Sequence, residues 1–430
     1  MKRIAVLAAG LLLATPLLFG ANAGAAEPML KGGGADSADP LIGKWQQAVA
    51  KPPLSVTVDY SADGAGGGRT DFMNTTVDFA VTSVPFTTSQ KKQLETAKRT
   101  YVSVPFAAGS IAFIYHLFTP QGDPIKGIQL TGPTIAKIYT GVVTNWNDPE
   151  IAAENPTLTL PPVRIVPLVR GQAAGATFTL TSYLKDQAPD VWHTFMSDPS
   201  RNFPDDPVEE FPFFAGVDSR TSSFAISDVV RGGESSNGRL AYVDNAWALQ
   251  SIATGADIVK VKNAAGNFVA PTPANSQKSI DAWKVDADGH MIPNFRVADP
   301  AAYPVGIVHE VIIPTSGLTA EKAAALRTFV AYGLQDGQGL AAGVGDPRLP
   351  AAVVTKAMAT LDTALPVTTT TTTAPPTSST TLGTNVLAND ATNGGGGGLA
   401  FTGPPSLGWP LAVGGLLLVA GTVLRRRRVR

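Results

Sequence analysis

No cysteine occurs in the 430 residues. Disulfides, thiol nucleophiles and cysteine-ligated zinc are therefore excluded. Histidine is almost as scarce: His116, His193, His290 and His309 are scattered without metal-ligand spacing and read as structural or surface residues. No Ser/His/Asp set, Walker loop or paired-carboxylate motif is recognisable. The chain is accordingly not read as an enzyme, and neither a catalytic residue, a metal nor a cofactor is expected. Basic charge is short as well. The two ends carry seven Lys and Arg and no acid, so a net charge of −1 for the whole chain becomes −8 for the part between them. An acidic protein of this kind is a poor partner for nucleic acid.

Long apolar runs are confined to the ends. At the start, Lys2 and Arg3 precede an apolar stretch from Ile4 to Phe19 and the small residues Ala21-Asn22-Ala23. That order predicts a secretory signal peptide over residues 1–26. At the other end, Leu407 to Leu424 is 18 residues without a charge, a borderline length for a membrane-spanning helix. Arg425 to Arg428 follow, as expected on the cytoplasmic side. Just before the span, Leu399, Ala400, Phe401, Thr402 and Gly403 resemble the LAxTG variant of the sortase sorting signal of Gram-positive bacteria. The resemblance implies sortase cleavage between Thr402 and Gly403 and attachment to peptidoglycan. A secreted, wall-anchored protein is expected, the alternative being a single-pass membrane protein with its domain outside.

Residues 364–398 are rich in Thr, Pro, Ser and Gly and cannot bury a core, so they read as a disordered linker. Fully stretched, the linker spans on the order of 110 Å. Residues 399–403 are the sorting motif and 404–430 the transmembrane segment with its basic tail. The globular part between residues 27 and 363 is long enough for two lobes. Strand-like alternation occurs at Leu54, Val56, Val58 and Tyr60, and apolar runs occur in "IAFIY", "VRIVPLV" and "VGIVHEVII". Helix signals lie between them. Pro133 suits a first turn and Gly141 a stop; Thr319 suits a cap with Leu326, Phe329 and Val330 on one face; Val354, Met358, Leu361 and Leu365 suggest another face. Strands alternating with helices predict an α/β architecture.

The stretch from Leu168 to Leu184, "LVRGQAAGATFTLTSYL", runs from an apolar strand through Arg170 and a small-residue loop into a helix. Such a junction cradles anions, because unsatisfied backbone N–H groups point outward from a helix start. Together with "GGGADSADPLIGKW", "VDYSADGAGGG", "NTTVDFAVTSVPF", "LTGPTIAKIYTGVVTNWNDPEI", "GRLAYVDNAWA", "KNAAGNFVAPT" and "GQGLAAGVGDPRLPAAVV", in this order, the sequence resembles the PstS-type phosphate-binding proteins. The resemblance covers about Leu30 to Leu361. It implies a type II periplasmic-binding-protein fold of two α/β lobes, with 27–104 and 306–363 in the first and 105–305 in the second. A small-molecule or anion ligand would sit in the cleft, and the chain would cross between lobes near Pro105 and Val305. It also brings an ABC permease as a partner and a monomer as the expected state.

The family's ligand residues carry over only in part. The family's Gly-Ala-Thr-Phe segment falls on Gly34-Ala35-Asp36-Ser37, an acid replacing the Thr. A family Ser in the Gly-rich turn falls at Ala65 or Gly66, and the family carboxylate after "DF" at Ser83. In the family's Arg-x-Asp-Gly-Ser-Gly-Thr loop, Arg170 and Gly175 are kept, while Gln172, Ala174 and Ala176 replace Asp, Ser and Thr. Buried phosphate needs its oxygens met by donors, and each lost hydrogen bond to a charged group costs roughly 1.5–3 kcal/mol. Tight phosphate binding is therefore not expected, and a different small ligand or a surface interaction role is. The alternative is a phosphate-binding component of an ABC importer. Arg170 has two readings, an anion clamp or a salt bridge across the cleft to Asp36. Asp36 also suits a helix cap, Gly64 to Gly68 an anion nest or a tight turn, and Gln172 and Ser83 a neutral ligand or water. The stretch Val208 to Gly216 reads as a cleft rim, a partner contact or a loop folded on its own lobe.

Overall fold

The computed structural model describes residues 29–200, 204–252 and 255–367. The expected signal peptide, the sorting motif and the apolar C-terminal run lie outside the described residues. Among the described residues no helix is long and apolar enough to cross a membrane.

The strands of the first half are β1 (Met29–Gly34), β2 (Thr57–Ser61), β3 (Phe79–Thr82), β4 (Tyr101–His116), β5 (Gln129–Leu130) and β6 (Val166–Arg170). Those of the second half are β7 (Asp218–Arg220), β8 (Arg239–Asp244), β9 (Asp257–Ile258), β10 (Lys260–Lys262), β11 (Phe268–Val269), β12 (Lys284–Val285), β13 (Met291–Ile292) and β14 (Gly306–Pro314). Nine of them form one mixed sheet in the order β2-β1-β3-β14-β4-β8-β6-β7, with β9 also on β4. Helices fill the intervals, so the architecture is the two-lobed α/β arrangement expected.

β4 joins the two halves of that sheet. Its residues from Tyr101 to Ser110 pair with β14, and those from Ile111 to His116 pair with β8. Pro105 lies within the first stretch, opposite Glu310. The second crossing runs alongside the change of partner, since Ile111 N donates to Val305 O at 2.9 Å and Tyr303 Oη to Ile111 O at 2.8 Å. Two large apolar cores flank this line. One gathers Trp45, Phe79, Phe106, Phe329 and Leu361. The other gathers Phe113, Tyr139, Trp146, Tyr183 and Tyr242. Ile280, Trp283 and Met291 join the first core although they precede β14 in the chain.

Local chemistry accounts for the helix ends. Thr131 Oγ1 accepts from Thr134 N ahead of helix Gly132–Tyr139, and Gly141 leaves that helix at a φ of 78°. Thr319 caps helix Ala320–Leu334 through Lys322 N, and Leu326, Phe329 and Val330 are buried as expected. In helix Ala351–Ala364 Leu361 is buried as expected, and so is Leu365 just beyond the helix, while Val353 and Ala357 complete the buried face and Val354 and Met358 are only partly buried.

Candidate functional site

The Gly-rich stretch after β2 is neither a nest nor a tight turn. It forms the first turns of helix Ala65–Met73, with Gly64 as its N-cap residue at a φ of 92°. Glycine is poor in a helix interior, but here it permits close packing. A Cβ on Gly68 would lie 2.4 Å from Gly34 Cα, so the helix rests directly on the end of β1.

The opposing side of the cleft is the loop after β6 and helix Gly175–Gln187, which starts at N-cap Ala174 without a side-chain cap. Its first amides have no acceptor within the helix, yet the space before them is filled by protein. A Cβ on Gly175 would fall 1.7 Å from Ser83 Oγ, and one on Gly66 would fall 2.6 Å from Ala173 Cβ. Gly66 N donates to Ala173 O at 3.4 Å. Ala65, Ala174 and Ala176 are fully buried around this contact. Groups that would face an anion face each other.

The charged pair sits at the back of the same contact. Arg170 Nη1 donates to Asp36 Oδ2 at 2.5 Å, and both residues are buried, at 1% and 6% exposure. Asp36 Oδ2 also accepts from the backbone N–H of Ser223 at 3.1 Å. Ser223 is the first residue of helix Ser223–Val230, which Ser222 caps through Ala225 N. An arginine and a helix N-terminus are the donors that hold bound anions; here both hold a carboxylate of the chain itself. Arg170 Nη1 further donates to Ser223 Oγ at 3.2 Å and Nη2 to Thr221 O at 2.9 Å. Tyr242 Oη accepts from Arg170 N at 3.0 Å and lies 2.7 Å from Thr177 Oγ1. Burial pushes the Tyr242 hydroxyl up to about 12, so it stays neutral.

Of the two readings of Arg170, the salt bridge to Asp36 is the one observed, and Asp36 is not a helix cap. Ser37 is buried beside it. The structure thus brings Asp36, Ser37, Ala65, Gly66, Ser83, Arg170, Ala174, Gly175 and Ala176 into one region. Gln172 is exposed and does not join them. Ser83 Oγ is buried without a partner among the described residues.

A second ion pair crosses the cleft with the opposite sense. Arg69 Nη2, on helix Ala65–Met73, donates to Glu209 Oε1 and Oε2 at 2.6 and 2.8 Å. Glu209 belongs to the segment Val208 to Gly216, which therefore reaches beyond its own lobe. Its backbone O also accepts from Ala174 N at 2.9 Å, tying this segment to the loop. Sequence reasoning missed Arg69 and Ser223. The only signal for Ser223 was the Ser-Ser pair before the apolar run "FAISDVV".

Near this region burial shifts several groups toward their neutral forms. Burial raises Asp244 and Asp346 well above the usual carboxylate range, and for Asp244 the charges of Asp36 and Asp346 add to it. Burial lowers His309 to about 4, against a weaker opposing pull from Asp36. Among the described residues no group of three or more His, Asp or Glu side chains is arranged to hold a metal.

A two-lobed α/β fold with a cleft of this layout defines a class, and the chain belongs to it: the PBP superfamily domain matches residues 21–336. Within that superfamily the chain is similar to PstS-type phosphate-binding proteins. It is 26% identical over 315 residues to phosphate-binding protein PstS 2 of Mycobacterium tuberculosis, covering 71% of this chain and 79% of that one. It is 26% identical over 303 residues to PstS of Xylella fastidiosa, covering 69% and 75%. Among solved structures it resembles the phosphate-bound high-affinity periplasmic phosphate-binding protein PfluDING, with a TM-score of 0.60 and 18% identity over 77% of this chain and 93% of that one. These relatives are binding proteins rather than enzymes.

Proposed function

We propose that this PstS-like protein binds a small ligand other than phosphate, or serves as an interaction module, because its anion cradle is occupied by its own Asp36. The observation that carries this reading is the Asp36 carboxylate held by Arg170 Nη1 at 2.5 Å and by the Ser223 amide at 3.1 Å. An incoming phosphate would have to displace a buried carboxylate or lie beside it. The first course forfeits a buried charge-assisted hydrogen bond, and the second places like charges together. Ala174, Ala176 and Ser83 offer no replacement for the family's Ser, Thr and acid.

The relatives' phosphate-binding names favour the alternative of a phosphate receptor for an ABC importer, and a single measurement separates the two. A binder with a micromolar constant would be stabilised by roughly 4 kcal/mol in millimolar phosphate, as RT ln(1 + [L]/Kd) gives. The expected result is a negligible change in melting temperature on adding phosphate. A shift of several degrees would favour the importer reading.

The lobes are read as 27–104 with 306–363, and 105–305, hinging about the two adjacent crossings. The protein is read as attached to the cell wall through Leu399–Gly403, on the strength of the sorting-type sequence and the apolar run and arginines after it. Mass spectrometry of the mature C-terminus is expected to end at Thr402. Intact chains ending at Arg430 in the membrane fraction would contradict the anchoring.

A further inference from the structure

Parting the lobes would uncover two charges of opposite sign that now satisfy each other. On the division into 27–104 with 306–363 and 105–305, Asp36 belongs to one lobe, and Arg170 and Ser223 belong to the other. The closed contact leaves no room between the walls. Gly66 and Ala173 approach too closely for one added carbon, and so do Gly175 and Ser83. A ligand therefore enters when the hinge about the two adjacent crossings opens, and it then stands between Asp36 and Arg170.

That position sets the charges a ligand must carry. Separating a buried ion pair without replacing either partner strands both charges, which is strongly disfavoured. An anion meets Arg170 and the Ser223 amide but leaves Asp36 facing a like charge. A cation meets Asp36 and leaves the guanidinium unpaired. A neutral molecule answers neither charge. A ligand with one anionic and one cationic end restores both pairings. The donors on the arginine side already hold a carboxylate, since Arg170 Nη1 and the Ser223 N–H both donate to Asp36 Oδ2, at 2.5 and 3.1 Å.

Two further observations weigh against a dianion and for a zwitterion. The surroundings of Asp36 are acidic: Asp39 lies close by, its carboxyl raised by burial and then by the charge of Asp36. The second pair across the cleft, Arg69 with Glu209, repeats the balance of the first, so each opened face carries one charge of each sign. The walls are also small. Ala65, Ala174 and Ala176 line the contact and offer little for a long side chain to grip.

We propose that the cleft binds a small zwitterion of the amino-acid class, with its carboxylate on Arg170 and the Ser223 amide and its ammonium on Asp36. This deepens the reading that the cradle takes no phosphate, and rests on it. The ligand exchanges one internal ion pair for two pairs of its own, one to each lobe, and so holds the lobes together.

Glycine, L-alanine and β-alanine are suitable probes, because they carry both charges at two different separations. Propionate is L-alanine without the ammonium, and ethylamine is L-alanine without the carboxylate. Titration calorimetry of the purified protein is expected to show at least one of the zwitterions binding tenfold or more tighter than both propionate and ethylamine. That comparison needs only the unmutated protein. Asp36→Asn keeps the shape of the side chain but removes its charge, and is expected to lower the preference for that zwitterion over propionate at least threefold. No binding of any zwitterion, a preference below tenfold, or a smaller change in Asp36→Asn would overturn the proposal. Phosphate titrated into the same samples reports separately on the cradle. Silence with both phosphate and the zwitterions would remove this proposal and leave the reading of the cradle standing, whereas micromolar phosphate binding would overturn both.

Discussion

Two arginine–carboxylate pairs cross the cleft, and they differ in what they replace. Arg170 reaches Asp36, and Arg69 reaches Glu209, so each half of the molecule supplies one cation and one anion. Both arginines are 1% exposed, but their partners are not alike: the Asp36 side chain is 8% exposed and that of Glu209 25%. Glu209 is a latch at the edge, in contact with water. Asp36 is enclosed by an arginine and a helix N-terminus, donors that suit a bound anion. One pair holds two surfaces together, whereas the other also occupies donors that, on the proposed reading, would hold a ligand. A buried charge is strongly disfavoured without its partner and modestly useful with it, so the two pairs should respond differently to the loss of their acids.

The largest effect is expected from Asp36→Ala. It strands the Arg170 guanidinium in a buried site, which costs about 3–5 kcal/mol, read as a lowered midpoint in urea. A loss no greater than that of a surface substitution would break the comparison. His309 sharpens it, because this imidazole feels the charge of Asp36. Its folded value lies near 4, below the ordinary 6.5, so its contribution is complete above pH 6.5 and is lost as pH falls toward 4. Asp244 and Asp346, raised by burial, act with the opposite sign: their contribution is present at low pH and is lost as pH rises through their folded values. The difference between the parent and His309→Gln therefore isolates the imidazole. The variant is expected to lose less stability between pH 6.5 and 4, by an amount on the order of 3 kcal/mol. Parallel pH profiles would contradict it. The smallest effect is expected from Glu209→Gln, which keeps one acceptor at a partly wet position and should cost about 1–2 kcal/mol. If Glu209→Gln were as damaging as Asp36→Ala, the edge latch and the filled site would be energetically one device.

Much of the architecture was legible because it rests on local signals. The capping threonines, the first-turn proline at Pro133 and the apolar strands all act within a few residues of themselves. The junction at Arg170 was legible as a place, since a strand, an arginine and a small-residue loop before a helix leave few geometries open, although Gln172 turns away from the residues gathered there. What the sequence left ambiguous were distances between segments far apart in the chain. Asp36 and Arg170 were one of two readings until the lobes were placed. Arg69 and Glu209 gave no local sign of meeting. The Gly-rich stretch at Gly64–Gly68 suggested a turn because glycine disfavours helices, yet close packing on β1 outweighs that propensity. The shift of the buried face in helix Ala351–Ala364 has the same origin, since the neighbour, not the hydrophobicity of Met358, decides which side turns inward.

The central claim is that Asp36 stands where a ligand anion would. Titration calorimetry with phosphate, run on the unmutated protein and on Asp36→Ala at matched ionic strength, tests it most directly. The account predicts no measurable binding by the unmutated protein at micromolar phosphate, and binding that becomes detectable once the carboxylate is gone and Arg170 and the Ser223 amide are left unsatisfied. Micromolar affinity in the unmutated protein, abolished by Arg170→Ala, would contradict it.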